Sequence, residues 1–323
     1  MATGALMVVA AAVGCYSLTV GEFTVPVREV IGVLAGNTSS DAHLVVMEWR
    51  LPRAILAIVV GACLGIGGAI FQSLSKNPLG SPDIVGFNVG AATGALVAVL
   101  VLDAGYYERA VGALIGGIIA GAAVYTLAYK RGIHGFRLVL VGIAVGSLLS
   151  SVNAYLIVKA DLTRAMSAAT WQAGSLYGLT EDHLWPVLIT FLVLLPVALA
   201  LSRPMRILEM GDDTARSLGV SHERVRLALV GCALAMTAAA TAIAGPIAFV
   251  ALAAPQLARR VARTPGIAVL PSAAMGAVLL SVSDLLARRL FAPAEVPVGA
   301  VTICLGGGYL VWLLARERHR GRS

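Results

Sequence analysis

The sequence predicts an all-α, polytopic membrane protein with about ten transmembrane helices. Three observations carry that prediction. The chain has 323 residues, of which 59% are hydrophobic and only 13% charged, and its mean hydropathy is +0.88. A globular domain is nearer half apolar and a quarter charged. Runs such as Ala54–Leu74 and Leu138–Val158 carry no charge over about 20 residues, enough to cross a bilayer at ~1.5 Å per residue. The basic residues gather at the ends of such runs, as topology signals do.

The expected spans, in order, are residues 3–20, 54–74, 87–102, 109–129, 138–158, 184–201, 227–245, 247–258, 268–287 and 299–315. The first resembles a signal-peptide core, and Val13-Gly14-Cys15 faintly resembles a lipoprotein cleavage site. No basic residue precedes it, so a membrane span is expected rather than a cleaved signal. Asn77-Pro78-Leu79-Gly80-Ser81-Pro82 makes a rigid turn that ends the second span. Gly245-Pro246 ends the seventh and starts the eighth, which is short and need not cross fully. Breaks of this kind mark gating elements in some transporters and plain turns in most proteins. Residues 1–323 read as a single transmembrane domain, with no low-complexity linker.

Within the spans the polar residues are neutral: Gln72, Asn88, Ser147, Ser150, Ser151, Asn153 and Thr302. Ser147, Ser150 and Ser151 share one helix face. They either line a neutral pathway or bond across helices. Asp284 is the main intramembrane carboxylate, and Arg288 one turn later pairs with it. Gly61/Gly65, Gly112/Gly116, Gly117/Gly121 and Gly142/Gly146 are small-xxx-small pairs that let helices approach closely. Cys15, Cys63, Cys232 and Cys304 lie in apolar runs without metal or disulfide spacing, so no metal site is expected.

The net charge is +7, which alone would admit a nucleic-acid partner. The positions of the charges exclude it. Only Lys76, Lys130 and Lys159 are lysines, and the arginines sit at span ends. An even span count puts both termini on one side. If that side is the cytosol, 16 of the 24 basic residues fall inside and 8 outside, in line with the positive-inside rule. The outer set includes Arg50, Arg53 and Arg288. Their position invites docking of an acidic partner, with internal pairing to Glu48, Glu295 or Asp284 as the alternative.

The one charged island lies at Glu209–Val220, within a cytosolic region of about residues 203–224. Asp212 or Asp213 is placed to cap a short helix and Gly219 to end it. Met210, Ala215 and Leu218 would form an apolar stripe. The acidic residues disfavour an anionic lipid surface. The segment reads as a docking surface for a soluble protein.

No GxxxxGK[ST], HExxH, GxSxG or CxxC motif occurs. The chain therefore has no Walker-type ATP cradle and no recognisable catalytic set. Scarce intramembrane carboxylates count against a proton- or sodium-coupled carrier.

Four segments resemble the permease subunits of iron-siderophore and vitamin B12 ABC importers. They are residues 49–91, GDDTARSLGVS at 211–221, AGPIAFVALAAPQLARR at 244–260, and SDLLARRL with Glu295-Val-Pro-Val-Gly at 283–299. The likeness runs from about Val20 to Arg316. It implies the ten-span type II importer fold in a bacterial inner membrane. It implies a homologous second permease subunit, two cytosolic ATP-binding subunits that use ATP-Mg, and an extracytoplasmic siderophore-binding protein. This chain itself would bind no cofactor and catalyse no reaction. The cargo implied is a ferric siderophore, of the catecholate (enterobactin) type; another siderophore, haem or cobalamin is the rival cargo, and an ion-coupled secondary transporter the distant one. By the same resemblance, Gly211, Asp212, Asp213, Ala215, Arg216, Leu218 and Gly219 form the ATPase-coupling element. Arg50, Arg53, Arg288 and Glu295 form the binding-protein dock. Asn77, Pro78 and Leu79 form the cytosolic gate, with Ser147 and Ser151 on the pathway. The chain departs from the family pattern at Gln256, where His is usual, and at Gly308, where Pro is common.

Overall fold

The computed structural model describes residues 2–21, 24–37, 42–82, 86–128, 135–264, 266–290, 292 and 294–320. Among these the chain is helical, with no strand. The helices are α1 (Ala2–Thr19), α2 (Val27–Leu34), α3 (Ala42–Ser75), α4 (Phe87–Val101), α5 (Tyr106–Ala128), α6 (Gly135–Lys159), α7 (Leu162–Gln172), α8 (Glu181–Glu209), α9 (Asp212–Ser217), α10 (His222–Ala244), α11 (Val250–Ala262), α12 (Val269–Arg289) and α13 (Val298–Arg320). Lys130, Arg131, Arg322 and residues 83–85 lie outside the described residues.

Seven helices are long and apolar enough to cross a membrane. Two expected spans are shorter apolar helices within the described residues, α4 and α13 as far as Tyr309, and a third, 247–258, falls on α11, a short two-sided helix ending in Arg259 and Arg260. At 13 residues, α11 rises only about 20 Å, against a ~30 Å hydrocarbon core. An irregular stretch at Gly245–Phe249 precedes it, between α10 and α11. Such backbone is tolerated in a membrane only where protein surrounds it, and Ala244, Gly245, Ile247 and Val250 are all buried.

The hub is α3, which packs against α12, α10, α11, α8 and α1. Of its most apolar window 89% is buried, against 17% for α6 and for α8. It therefore sits inside the bundle, while α6 and α8 keep faces free for lipid or a partner. Glycine makes the α3–α12 contact possible. A Cβ at Gly61 would strike the carbonyl of Gly276, and one at Gly65 the carbonyl of Ser272. Gly90 and Gly94 of α4 meet Gly112 and Gly116 of α5 in the same way. In lipid, where helix association rests on close packing, this is the expected solution.

Two findings, on three helices, correct the sequence reading. The expected span 184–201 is the middle of α8, which runs for 29 residues despite Pro186, Pro196 and Pro204. That is about 44 Å of helix, longer than the hydrocarbon core, so it extends past the apolar run at one end or both. Second, α2 and α7 were not anticipated. Both are short and lie between spans, where a 20-residue apolar run gives no signal.

Candidate functional site

Three groups of predicted residues fall at two opposite ends of α3. At the end near Ser75, the chain leaves α8 through Met210 and Gly211 and forms α9. Gly211 is the N-cap, at φ +119, and no side chain caps the helix. Asp212 and Asp213 thus do not cap it; they occupy its first turn, where the helix dipole favours carboxylates. The C-terminus closes as a Schellman motif. Val220 N–H donates to Ala215 O at 2.9 Å and Gly219 N–H to Arg216 O at 3.0 Å, with Gly219 at φ +74.

The expected stripe of Met210, Ala215 and Leu218 does not exist as one face. Ala215 is fully buried in the chain's own core, between α8 and α10. Met210 and Leu218 are exposed. A single turn of helix cannot bury one side chain on its parent bundle and offer it to a partner. Asp212 is pinned to Arg226 of α10 at 3.1 Å, and Arg216 lies 3.7 Å from Asp213 in open solvent. The pinned side of α9 faces the bundle, and the displayed side carries Met210, Asp213, Arg216 and Leu218.

Glu209, the last residue of α8, accepts a hydrogen bond from Ser73 Oγ at 2.7 Å. This ties the base of α9 to the last turn of α3, next to the Asn77-Pro78-Leu79 loop. Lys76 leaves α3 in the left-handed region at φ +48. Asn77 Oδ1 accepts the N–H of Leu79 at 2.9 Å, an Asx turn. An amide ladder holds the loop against α11. Gln72 Nε2 donates to Leu252 O at 2.9 Å; Gln256 Nε2 donates to Gln72 Oε1 at 2.6 Å and to Pro78 O at 3.3 Å. Sequence reasoning marked Gln256 only as a departure from a pattern. The usable signal was chemical: a lone amide in an apolar run must find a partner.

At the opposite end of α3, a π-helical stretch, Val45–Arg50, delivers Trp49 and Arg50 just before Arg53. Of the two readings open for Arg50, Arg53 and Arg288, internal pairing describes Arg53 and Arg288, and it leaves docking at this end untested. All three are less than a tenth exposed. Arg53 Nε meets Asp284 Oδ1 at 2.9 Å, and its Nη1 meets Glu295 Oε2 at 2.9 Å. The other oxygen of Asp284 takes Arg288 Nη2 at 2.7 Å. Glu295 therefore pairs with Arg53, not Arg50. Arg50 Nη1 donates to Leu18 O at 2.8 Å, and Arg288 Nη1 to Ser17 O at 3.3 Å. These are the orphan carbonyls ending α1, where cations also suit the dipole. The physical reason for the inward turn is desolvation: a charge this near the apolar bundle is held by partners or not at all. The cluster nevertheless floors a cavity of about 320 Å³, walled by Trp49, Tyr177 and Leu179.

On α6, Ser147 and Ser151 are exposed, and Ser151 Oγ donates back to Ser147 O at 3.1 Å. They belong to the open face of that helix and not to its packed side. Among the described residues no group of three or more His, Cys, Asp or Glu is arranged to hold a metal.

The profile of the FecCD transport family matches residues 8–316. The chain belongs to that family. It is 46% identical over 317 residues to the ferric enterobactin transport system permease protein FepG of Escherichia coli K12, covering 98% of this chain and 96% of that protein. It is 36% identical to the achromobactin transport system permease protein CbrC of Dickeya dadantii, covering 94% and 88%. A solved structure of a metal-chelate type ABC transporter, in an inward-facing conformation, superposes with a TM-score of 0.86 at 25% identity, over 97% of this chain and 98% of that one. The FecCD chain described here thus has the type II ABC importer permease fold and is a multi-pass protein of the bacterial inner membrane.

Proposed function

We propose that this chain is one of two permease subunits of an ABC importer that moves a ferric siderophore of the catecholate class into the cytosol. The observation that supports this most is 46% identity over 98% of the chain to a ferric enterobactin permease. The second permease is a homologue. Two cytosolic subunits bind and hydrolyse ATP-Mg, and an extracytoplasmic protein delivers the loaded siderophore. Both termini are cytosolic. The chain itself is non-catalytic and binds no cofactor. All of residues 1–323 act as one transmembrane unit.

The geometry suggests a division of labour. The region at about 203–224 receives the ATPase, with Met210 and Leu218 of the displayed side in its groove. Gly211, Asp212, Ala215 and Gly219 hold α9 on the bundle, and Asp213 and Arg216 flank the contact. The Glu209–Ser73 bond passes a shift of α9 to the end of α3, and so to the Asn77-Pro78-Leu79 gate. Ser147 and Ser151 line the pathway. At the outer end an acidic side chain of the binding protein enters the cavity over Arg50, Arg53, Arg288 and Glu295. Docking there works through a preformed, desolvated site. Such a site gives specificity and orientation at little cost in rearrangement.

The test is a panel. The purified complex is reconstituted with its binding protein, and uptake is measured for catecholate, hydroxamate and citrate-type ferric siderophores, haem and cobalamin. Uptake restricted to the catecholate complex supports the reading; uptake of cobalamin or haem instead overturns the cargo. The isolated chain is expected neither to bind nor to hydrolyse ATP.

A further inference from the structure

The last turn of α3 gives two adjacent polar side chains to two different neighbours. Ser73 Oγ donates to Glu209 at the base of α9. Gln72, only 1% exposed, turns to α11. That second contact is prepared one turn earlier. Pro255 has no N–H, so the carbonyl of Ala251 lacks its usual helical donor. Gly68 of α3 lies directly on that carbonyl, where a Cβ would collide with it. Four residues on, on the same face of α3, Gln72 Nε2 donates to Leu252 O at 2.9 Å. Gln72 Oε1 accepts Gln256 Nε2 at 2.6 Å, and the same Nε2 reaches Pro78 O at 3.3 Å. Two amides thus clasp three pieces: the end of α3, α11 and the Asn77-Pro78-Leu79 loop. The loop is closed on itself by Gly80 N–H to Asn77 O at 2.9 Å, so a pull at Pro78 acts on all of it.

At its other end α11 starts from strained backbone, Phe249 at φ +69, after Gly245 at φ +72. Non-glycine residues held there cluster at switch regions. Glu209 borders both partners of the clasp. It holds Ser73, and a Cβ on Gly266, just past α11, would lie 3.4 Å from its Oε2. We propose that Gln72 and Gln256 are positioning residues of the cytosolic gate: through them the Asn77-Pro78-Leu79 loop travels with α11 during the nucleotide cycle. The proposal rests on the importer and gate reading above. Neutral amides suit the task. Each such bond adds little net stability, whereas breaking a buried ion pair is costly, so an amide clasp opens and closes without unfolding its surroundings. Neither amide touches α9, so losing the clasp leaves ATP hydrolysis running and the gate behind.

The test uses the complete transporter in proteoliposomes, with ATP inside and loaded binding protein outside. Uptake of ⁵⁵Fe-labelled ferric enterobactin and phosphate release are measured together. In Gln72→Leu and Gln256→Leu, uptake per ATP should fall about 10-fold, the weight of one hydrogen bond, with basal ATP hydrolysis and melting temperature little changed. Gln256→His, whose ring N–H still donates to Gln72 Oε1, should restore most of it. Hydrogen exchange gives a readout independent of cargo. Trapping the complex with ATP-Mg and vanadate should change exchange at residues 77–80 and 250–262 together, and in the Leu variants at 250–262 alone. Unchanged uptake per ATP in both Leu variants overturns the proposal, as does a response at 77–80 that persists without the clasp. A parallel fall in uptake, hydrolysis and melting temperature overturns it too, leaving the amides a role in folding only. Should Gln72→Leu fail to fold, the half-buried Gln256 carries the test. An unmodified complex that shows the exchange response but imports no ferric enterobactin overturns the siderophore reading alone.

Discussion

At one end of α3, Arg53, Asp284, Arg288 and Glu295 interlock beneath a cavity; at the other, α9 holds Asp213 and Arg216 in open solvent. Both regions are charged, and in the sequence both invite docking, the arginines with internal pairing as the alternative. They differ in how their charges are held. The Asp284 side chain is 1% exposed and binds two guanidiniums, whereas Asp213 is fully exposed in a loose i,i+3 pair. The locked cluster fixes the shape of its end of the bundle. The displayed helix is held by Ala215, by Asp212–Arg226, by the Glu209–Ser73 bond at its base and by its C-terminal cap. Desolvation draws the distinction: buried charges need partners whose loss is costly, and exposed ones do not.

The sharpest way to break the comparison is at Asp284. Asp284→Leu leaves Arg53 and Arg288 buried without their shared carboxylate. A loss of about 3–5 kcal/mol is expected, seen as a large drop in the unfolding midpoint of the detergent-purified protein. Asp213→Leu at the other end should leave that midpoint where it was. Equal midpoints for the two variants would erase the distinction.

Next comes the split within α9. Ala215→Glu buries an unpaired charge and should abolish folded, membrane-inserted protein. Leu218→Asp, on the displayed side, should leave yield and melting intact while cutting ATP-driven uptake at least ~10-fold, as for a hot spot of about 2 kcal/mol. If Leu218→Asp transports normally, α9 is not the coupling surface.

Two smaller effects sharpen the picture. Gly219→Ala places a Cβ at φ +74 and should cost about 1 kcal/mol, read as a modest fall in melting temperature. Gln256→Leu removes the rung that holds Pro78. Hydrogen exchange at residues 77–80 should speed up about 10-fold for the loss of roughly one hydrogen bond, with global stability little changed.

The bundle itself was legible because hydropathy reports span length directly. Ala54–Leu74 could be nothing but a spanning helix, and its glycines foretold a close helix contact, though not that α12 makes it. The extent of α8 was not legible, since Arg203 and Arg206 end the apolar run but not the helix. Asp284–Arg288 could be paired from spacing, because i,i+4 neighbours meet on any helix. The Arg53–Glu295 pair could not, because its partners are 242 positions apart and meet only through the α3–α12 packing. Nor could the fate of Ala215: an amphipathic pattern in six residues does not say which side the parent bundle takes. Nor was α7 legible, because eleven residues of mixed polarity between two spans give no hydropathy signal.

The central claim is that the displayed helix, and not an intramembrane carboxylate, is where energy enters. It is tested most directly by ferric enterobactin uptake in proteoliposomes with and without the ATPase subunits, with and without an imposed proton gradient. The account predicts uptake only with ATPase and ATP, indifferent to the gradient, and lost in Leu218→Asp. Gradient-driven uptake by the permease pair alone would contradict it.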